Sequence, residues 1–129
     1  MTDPDVAGLM LRRADLGDAD FLLALRNDPM TRRFSFTRHL ISHSEHVAWL
    51  TERLSNPASL IWVALCDERP AGQLRLSQLD DLTAEVHIAI AADFRGRGLA
   101  RVMLSRAADL CEASWPQIAR LRARIMPEN

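Results

Sequence analysis

Hydrophobic positions recur along this chain with two different periods, and the change between them predicts its central elements. Val86, Ile88 and Ile90 alternate with polar or smaller residues, which is the period of a strand. From Leu99 to Leu110 the apolar positions lie three or four residues apart, so they share one face of a helix. A basic turn with two glycines separates the two patterns. We therefore predict a buried strand, a tight turn and a long helix in direct succession.

Further strands are expected on both sides of this unit, at residues 9–13, 60–66, 72–77 and 118–125. The second of these is apolar on both faces, as in a central strand covered on each side. A short turn joins this strand to the strand at 72–77, and another short turn joins that strand to the one ending at Ile90. These three strands should therefore form an antiparallel meander. The last strand follows a helix and is therefore expected to lie parallel to its neighbour. This pattern indicates an α+β (α/β) fold with a mixed, mostly antiparallel sheet.

Three helices are expected, ending before Pro29, at about Leu54 and at about Ser114. The first stops there because the residue before proline avoids the helical conformation. The second begins with the capping box Ser42-His43-Ser44-Glu45. In this second helix we expect His43 to lie within the apolar face and His46 at its edge.

Residues 30–41 allow two interpretations. Arg32, Arg33 and Arg38 alternate loosely with Phe34 and Phe36. Bases stack on aromatic rings and phosphates pair with arginine, so the segment fits a nucleotide platform. The alternative, which we favour, is a connector whose phenylalanines pack into the core.

Composition limits the classes of function. The chain has 129 residues, 48% of them apolar and 26% charged, which fits one globular domain over residues 1–129. A net charge of −1 gives no overall attraction to nucleic acid or to a membrane, and no run of about 18 apolar residues could span a bilayer. The acidic start of the chain is unlike a signal peptide. With two isolated cysteines, Cys66 and Cys111, these features predict a cytoplasmic protein with reduced thiols.

No group of His and Cys residues has the spacing of a zinc site. His43 and His46 lie three residues apart on a predicted helix, but two histidines without further ligands do not make a metal site. We therefore expect no metal.

The turn Arg95-Gly96-Arg97-Gly98 carries the first candidate chemistry. Two glycines permit left-handed conformations and let the backbone approach a ligand closely. The helix that follows presents unpaired N–H groups at its N-terminus, which attract anions, and Arg101 adds a third arginine. We predict a site for a phosphate or pyrophosphate. The alternative is a tight turn with solvated arginines.

Arg95-Gly96-Arg97-Gly98-Leu99-Ala100 fits the acetyl-CoA signature (Gln or Arg)-x-x-Gly-x-(Gly or Ala) of the GNAT superfamily of N-acetyltransferases, and the strand before it resembles that family's fourth strand. The resemblance covers nearly the whole chain and implies a sheet with helices on both faces. It also implies that acetyl-CoA is the co-substrate, that backbone amides of the turn hold its pyrophosphate, and that the strand ending at Ile90 pairs with the pantetheine arm and polarises the thioester. The implied cofactor-binding residues are Ile88, Ala89, Ile90, Arg95, Gly96, Arg97, Gly98, Leu99, Ala100, Arg101 and Asn129.

Glu85 is the candidate catalytic base. The family often places a base on this strand, and Glu85 is the only carboxylate inside a strongly apolar strand. Partial burial makes a carboxylate a better proton acceptor near neutrality. In one alternative His87, on the same face, shares the task. In another, Glu85 lies at the exposed start of the strand and pairs with Arg75.

A narrower resemblance rests on residues 25–50. Leu25-Arg26-Asn27-Asp28-Pro29 and Ile41-Ser42-His43-Ser44-Glu45-His46 are similar to segments of the acetyltransferases that modify a nucleotide-linked amino sugar on the way to pseudaminic acid. In those enzymes an arginine after the first helix and a histidine in the second contact the substrate, which implies these roles for Arg26 and His46. A guanidinium suits a diphosphate because it binds in a bidentate way.

The end of the chain departs from the family pattern. Family members continue after an Asn like Asn129 with another helix and further strands, and that helix often carries a tyrosine that acts as general acid. This chain has no tyrosine. We expect from this a domain incomplete after its fifth strand, with weak or absent acetyl transfer. We also expect an apolar edge from Ile118 to Pro127 that pairs two copies into a homodimer.

Three functions are compatible with the sequence. The leading one is acetyl-CoA-dependent acetylation of the primary amine of a small molecule, and the narrower resemblance implies a nucleotide-linked amino sugar as the acceptor. A second keeps the reaction and changes the acceptor to a protein N-terminus or an antibiotic. A third is a truncated, non-catalytic domain that binds acyl-CoA or dimerises.

Overall fold

A computed structural model describes residues 8–33 and 40–125 of the chain. Within these ranges, four α-helices pack on a five-stranded sheet whose strands lie side by side in chain order. The strands are β1 (Leu9–Arg13), β2 (Ser59–Cys66), β3 (Arg69–Gln78), β4 (Thr83–Ile90) and β5 (Arg120–Ile125). The helices are α1 (Ala19–Asn27), α2 (Pro29–Arg33), α3 (His43–Ser55) and α4 (Leu99–Ser114). None of these helices is long and apolar enough to cross a membrane.

The pairing of the strands confirms the predicted topology. Strands β1 to β4 are antiparallel to their neighbours, and β5 runs parallel to β4 after the crossover through α4. The register sets Arg75 of β3 opposite His87 of β4, and His87 beside Arg124 of β5. Three polar residues therefore form a row across one face of the sheet.

Alternation along the strands assigns the two faces of the sheet to different helices. On one face Val86 and Ile88 of β4 pack against Met103 of α4. On the other face Val63 of β2 packs with Leu50 of α3 in a second cluster that also includes α1. Helices therefore cover both faces, as the resemblance implied. The second cluster is centred on β2, which leaves the polar row across β3, β4 and β5 beside it as the floor of a cleft.

The connector after α1 contains a short helix, α2, that the sequence pattern did not predict. Asp28 Oδ1 accepts hydrogen bonds from the N–H groups of Met30 (3.0 Å) and Thr31 (3.4 Å). This cap lets a new helix start at Pro29 directly after the break. The residues of the suggested nucleotide platform, Phe34, Phe36 and Arg38, lie outside the described residues.

The predicted places of the two histidines in α3 are wrong. His46 is fully buried, whereas the side chain of His43 is 66% exposed. Leu50, one turn after His46, is also fully buried, so the inward face of the helix runs through these two positions. In the first turn of α3, His43 Nε2 lies 3.6 Å from Oδ1 of Asp20, a residue of α1.

Candidate active site

The turn between β4 and α4 has an open backbone. Gly96 and Gly98 adopt left-handed conformations, with φ of 78° and 77°. In the part of the chain that the structure describes, no atom beyond the two adjacent residues lies within 4 Å of the position that a Cβ would take on either glycine. Side chains other than glycine rarely adopt this conformation. A ligand can therefore approach the backbone closely at both positions.

The N-terminus of α4 is electropositive and uncapped. Gly98 precedes the helix, its first turn contains no acidic residue, and no side chain among residues 8–33 and 40–125 caps it. Arg97 and Arg101 are exposed beside this end. The side chains of Leu99 and Ala100 are buried in the core. A ligand can therefore contact Leu99 and Ala100 only through their backbone N–H groups.

Arg95 differs from the other arginines of the turn because its side chain points inward. Its Nη2 lies 2.8 Å from Asp28 Oδ1, and its Nε donates to the Ile90 carbonyl at 3.0 Å. The Arg95 and Asp28 side chains are only 13% and 19% exposed. Arg95 therefore braces the turn against the α1–α2 junction, and its backbone is the part left to contact a cofactor.

The end of β4 extends past the described part of β5. The last register pair between these strands in the described residues is Ile88 with Ile125, whereas β4 pairs with β3 as far as Ile90 with Gly72. A Cβ on Gly72 would lie 2.6 Å from the carbonyl oxygen of Ala89. Glycine at this place in β3 thus allows the close approach of the β4 end.

The hydrogen bonds of this strand end point in defined directions. The Ala91 N–H donates to the Ala71 carbonyl at 2.7 Å. Because N–H groups along an antiparallel strand alternate in direction, Ala89 bonds toward β3 and the Ile90 N–H points away from β3. The Ile90 N–H is therefore a donor on the side of the strand that the turn borders.

These features fit acetyl-CoA. The backbone N–H groups at residues 96–101 suit a pyrophosphate, and the outer side of Ile90 suits an extended amide chain such as pantetheine. Asn129, the other residue that the resemblance assigns to the cofactor, lies outside the described residues.

A basic cleft opens on the face of the sheet that carries α1 and α3. Its volume is about 320 Å³, and its floor is the polar row of β3, β4 and β5. Among the described residues, four arginines and no carboxylate line it. The lining residues are Leu25, Arg26, Thr31, Ile41, Trp49, Arg53, Gln73, Arg75, His87, Ala89 and Arg124.

The arginines give the floor of this cleft a strongly positive potential. Burial, followed by repulsion from Arg53 and Arg26, lowers the pKa of Arg75 to about 10. Burial, together with the charges of Arg75, Arg124 and Arg26, lowers the pKa of His87 to about 3. His87 is therefore neutral near physiological pH, while Arg75 keeps its charge.

Arg26 belongs to a packed group on the wall of the cleft. Its Nη1 lies 3.1 Å from His46 Nδ1, and its guanidinium stacks over Trp49 with 4.3 Å to the ring centre. Burial and the charge of Arg26 lower the pKa of His46, so a neutral His46 accepts this hydrogen bond. His46 is fully buried and does not line the cleft. We therefore expect any effect of His46 on an acceptor to act through Arg26.

Glu85 lies on the same face of β4 as His87, two residues further from the turn before α4. It is half-buried, opposite Ser77 of β3 and beside Arg122 of β5. Glu85 does not line the cleft, but its charge stabilises the protonated form of Arg75 through space. The geometry is compatible with Glu85 as a base and with Glu85 as a partner of Arg75.

The α1–α2 junction is fastened to the start of α3. The Asn27 side chain exchanges two hydrogen bonds with the backbone of Ile41, since Nδ2 donates to the carbonyl (2.9 Å) and the Ile41 N–H donates to Oδ1 (2.8 Å). Arg32 Nε donates to the Asn27 carbonyl at 3.1 Å. These bonds hold Thr31 and Ile41 against the cleft.

Sequence reasoning missed most of this cleft. Trp49, Arg53, Gln73 and Arg124 were not singled out, and Arg75 appeared only as a partner of Glu85. On a strand, such alternating polar residues are typical of a solvated face. The available signal was β2, which is apolar on both faces and therefore implies that its neighbour β3 also lies under a helix.

Within residues 8–33 and 40–125, no three His, Cys, Asp or Glu side chains gather closely enough to hold a metal ion. Cys66 and Cys111 are buried thiols, and burial raises the pKa of Cys111. A thiol with a raised pKa stays protonated at neutral pH and is a poor nucleophile.

Solved structures with the same fold are longer than this chain. A variant of the spermidine N-acetyltransferase SpeG from Vibrio cholerae has a TM-score of 0.69 at 25% identity, over 82% of this chain and 63% of that one. The Vibrio cholerae spermidine N-acetyltransferase in complex with CoA and spermine has a TM-score of 0.73 at 24% identity, over 83% and 65%. An acetyltransferase of the GNAT family from Streptococcus pneumoniae has a TM-score of 0.68 at 22% identity, over 89% and 73%. The chain therefore spans less than two thirds of the Vibrio cholerae proteins.

No curated protein matches the chain. The family model that describes the acetyltransferase (GNAT) domain, in contrast, matches residues 8–129. The match includes every strand and helix described above, together with the open turn before α4. The chain therefore belongs to the GNAT acetyltransferase domain family.

Proposed function

We propose that this chain is an acetyl-CoA-dependent N-acetyltransferase that acts on the primary amine of a small molecule. The observation that carries the proposal is the open turn, in which Gly96 and Gly98 lead in left-handed conformations to an uncapped helix N-terminus. Such an end binds the anionic pyrophosphate of CoA through backbone N–H groups. The CoA in the Vibrio cholerae complex supports the same cofactor.

We assign the chemistry to residues along β4. Acetyl-CoA supplies the acetyl group as a thioester. The Ile90 N–H, which points away from β3, polarises the thioester carbonyl as a preorganised donor. Glu85 lies four residues from Ala89 and outside the lining of the cleft, so it accepts the proton of the acceptor ammonium through water. When the neutral amine attacks the thioester carbonyl, the C–S bond breaks and the leaving CoA thiolate takes up a proton from solvent. His87 is the alternative base, and its pKa of about 3 makes it the weaker one.

For the acceptor we propose a nucleotide-linked amino sugar. Arg26, which the narrower resemblance assigns to substrate, lines a cleft that reaches Ala89 at the end of β4. The Vibrio cholerae proteins are named for spermidine, which is a polycation. The described part of the lining, with four arginines and no carboxylate, disfavours a polycation. A protein N-terminus or an antibiotic is the second acceptor class, and acyl-CoA binding without turnover is the third possible function.

Two measurements test this function. Calorimetric titration with CoA is expected to show one site per chain, and the absence of binding would contradict the proposal. Release of CoA thiol from acetyl-CoA is then followed with a UDP-linked amino sugar, spermidine, a peptide with a free N-terminus and an aminoglycoside. We expect acceptor-dependent release with the amino sugar to be at most slow, because the chain has no tyrosine to protonate the leaving thiolate. CoA binding without release in any of these reactions would favour the non-catalytic function.

A further inference from the structure

We propose, as an extension that rests on the proposed function, that Arg26, Arg53 and Arg75 form a phosphate site around Trp49. The acceptor amine would then carry a phosphate or diphosphate group. This site is separate from the turn at residues 95–101 that we assign to CoA.

Trp49 holds the three arginines together. Their guanidinium carbons lie 4.3 Å (Arg26), 5.3 Å (Arg75) and 5.8 Å (Arg53) from the centre of its ring. The electron-rich faces of an aromatic ring attract cations, which offsets part of the repulsion among the three charges. Because guanidinium groups already cover the ring, Trp49 organises the arginines and is not a stacking platform for a base.

The positive charge of this cluster is only partly balanced by protein carboxylates. Glu52 Oε2 lies 3.5 Å from Arg53 Nε, but the Glu52 side chain is 59% exposed. Glu85 acts on Arg75, and Glu45 on Arg26, through space. None of these three carboxylates lines the cleft.

Arg75 is the central member of the site. It lies on the floor of the cleft, its charge is repelled by both other arginines, and burial adds to its cost. An anion in the cleft would relieve that repulsion, and the planar guanidinium fork suits a phosphate in a bidentate contact. The described lining offers the buried Arg75 no carboxylate, so an anionic ligand would supply the counter-charge in the cleft.

The distance from this site to the end of β4 limits the size of the acceptor. Arg75 lies opposite His87, and Ala89 lies two residues further along β4. Two residues of strand span about 7 Å. An amine near Ala89 and a phosphate at Arg75 are thus separated by roughly the width of one sugar ring.

Calorimetric titration of the full chain with sodium pyrophosphate, in the presence of saturating CoA and at low salt, tests the site. CoA occupies the other anion site, so the titration reports the arginine cluster. We expect one pyrophosphate per chain, with the affinity reduced at least tenfold in Arg75→Gln. Arg120→Gln removes one charge from the same sheet outside the cleft and should change the affinity less than threefold. An absence of binding to the wild type, or equal losses in the two variants, would overturn the proposal.

Two further variants and two further probes sharpen the result. Arg75→Gln should leave the melting temperature of the ligand-free chain unchanged or raised, because it removes repulsion; a lower melting temperature would indicate a structural role instead. Arg75→Lys should keep only part of the wild-type affinity for pyrophosphate, since lysine lacks the planar guanidinium fork.

UDP should bind with an affinity within tenfold of that of pyrophosphate. Much tighter binding of UDP would contradict recognition through the phosphates. Spermidine titrated alone into the CoA-saturated chain should give no heat of binding, and binding that Arg75→Gln changes would refute an anion site.

The proposed function and the phosphate site fail in different ways. In Gly98→Val without CoA, pyrophosphate binding that still depends on Arg75 supports the phosphate site. If the wild type fails to bind CoA while this Arg75-dependent binding is present, the proposed function is wrong and the anion site stands. If CoA binds and pyrophosphate does not, the anion site is wrong and the proposed function stands.

Discussion

Arg95 and Asp28 form an ion pair of 2.8 Å that joins the proposed CoA turn to the start of α2. The same oxygen of Asp28 accepts a hydrogen bond from the Met30 N–H, and Arg95 also donates to the Ile90 carbonyl. One carboxylate oxygen therefore connects the end of β4, the turn and the segment beside the cleft. The two proposed binding sites share this junction.

Asp28→Asn, which keeps the capping oxygen and removes the charge, is expected to weaken the junction. A hydrogen bond to a charged partner contributes about 1.5–3 kcal/mol, so the free energy of unfolding should fall by about that amount in denaturant titration. Asp20→Asn is the control, because the side chains of Asp20 and its partner His43 are 93% and 66% exposed. Exposed pairs contribute about 0–1 kcal/mol. Equal losses in the two variants would contradict a special role for the Arg95 pair.

The pH dependence of the same variant separates charge from packing. Burial acts to raise the pKa of Asp28, but the hydrogen bond and charge of Arg95 and two backbone N–H donors outweigh it and lower the pKa below 3.8. The stability from this pair is therefore fully present above about pH 4 and is lost as pH falls through the folded-state pKa. The difference in unfolding free energy between wild type and Asp28→Asn should shrink below about pH 4. A difference that stays constant there would indicate lost packing.

Gly98→Val should abolish CoA binding and leave the chain folded. Among the described residues, only the two neighbours in sequence come within 4 Å of the added Cβ, so the cost to folding is the left-handed backbone, on the order of 1–3 kcal/mol. Calorimetry with CoA and circular dichroism measure the two effects. Gly98→Asn is the control, because asparagine tolerates this conformation but still fills the space. Loss of binding in both variants supports exclusion of the ligand, whereas unchanged affinity would refute the cofactor site.

Glu85→Gln should lower turnover by about 10²–10⁴-fold near neutral pH, the usual contribution of a general base. CoA affinity should hardly change, because the Glu85 side chain lies on the face of β4 away from α4. His87→Gln is the comparison and should cost less than tenfold, since a pKa of about 3 makes His87 a weak base. A Glu85→Gln enzyme within threefold of wild type would assign the proton to water or His87.

We also predict a homodimer through β5. This strand has one described neighbour, β4, and Ile125 is 38% exposed. Exposed strand edges pair with other chains unless something blocks them. Light scattering at ~100 µM, a concentration at which exposed edges associate, should give the mass of two chains. A strictly monomeric mass would contradict the prediction.

The sequence predicts well those elements that form because of residues close to one another in the chain. The alternation of Val86, Ile88 and Ile90 and the left-handed glycines before α4 depend on neighbouring residues alone, and the structure contains both. Helix α2 has a local start signal, because Asp28 caps it and Pro29 occupies its first position, but the same proline also predicts the end of α1, and only that end was expected. What no local pattern encodes is the ion pair of the same Asp28 oxygen with Arg95, which is distant in the sequence.

The cleft shows the same limit more strongly. Trp49 on α3 and Arg75 on β3 meet only after the helix packs on the sheet. Each alone resembles an ordinary surface residue in the sequence. The error over His43 and His46 has a related cause, because the phase of α3 on the sheet decides which histidine is buried.

The two hydrogen bonds between Asn27 and Ile41 have a consequence for how this domain can diversify. A side-chain amide makes both bonds, so Asn27 holds the two ends of the segment 28–40 together. Provided that Asp28 is kept, because it braces the turn through Arg95, the length and sequence of this segment can change while its two ends stay in place. Exchange of the segment between related domains would therefore alter the wall of the cleft next to Thr31 and leave the proposed CoA turn as it is.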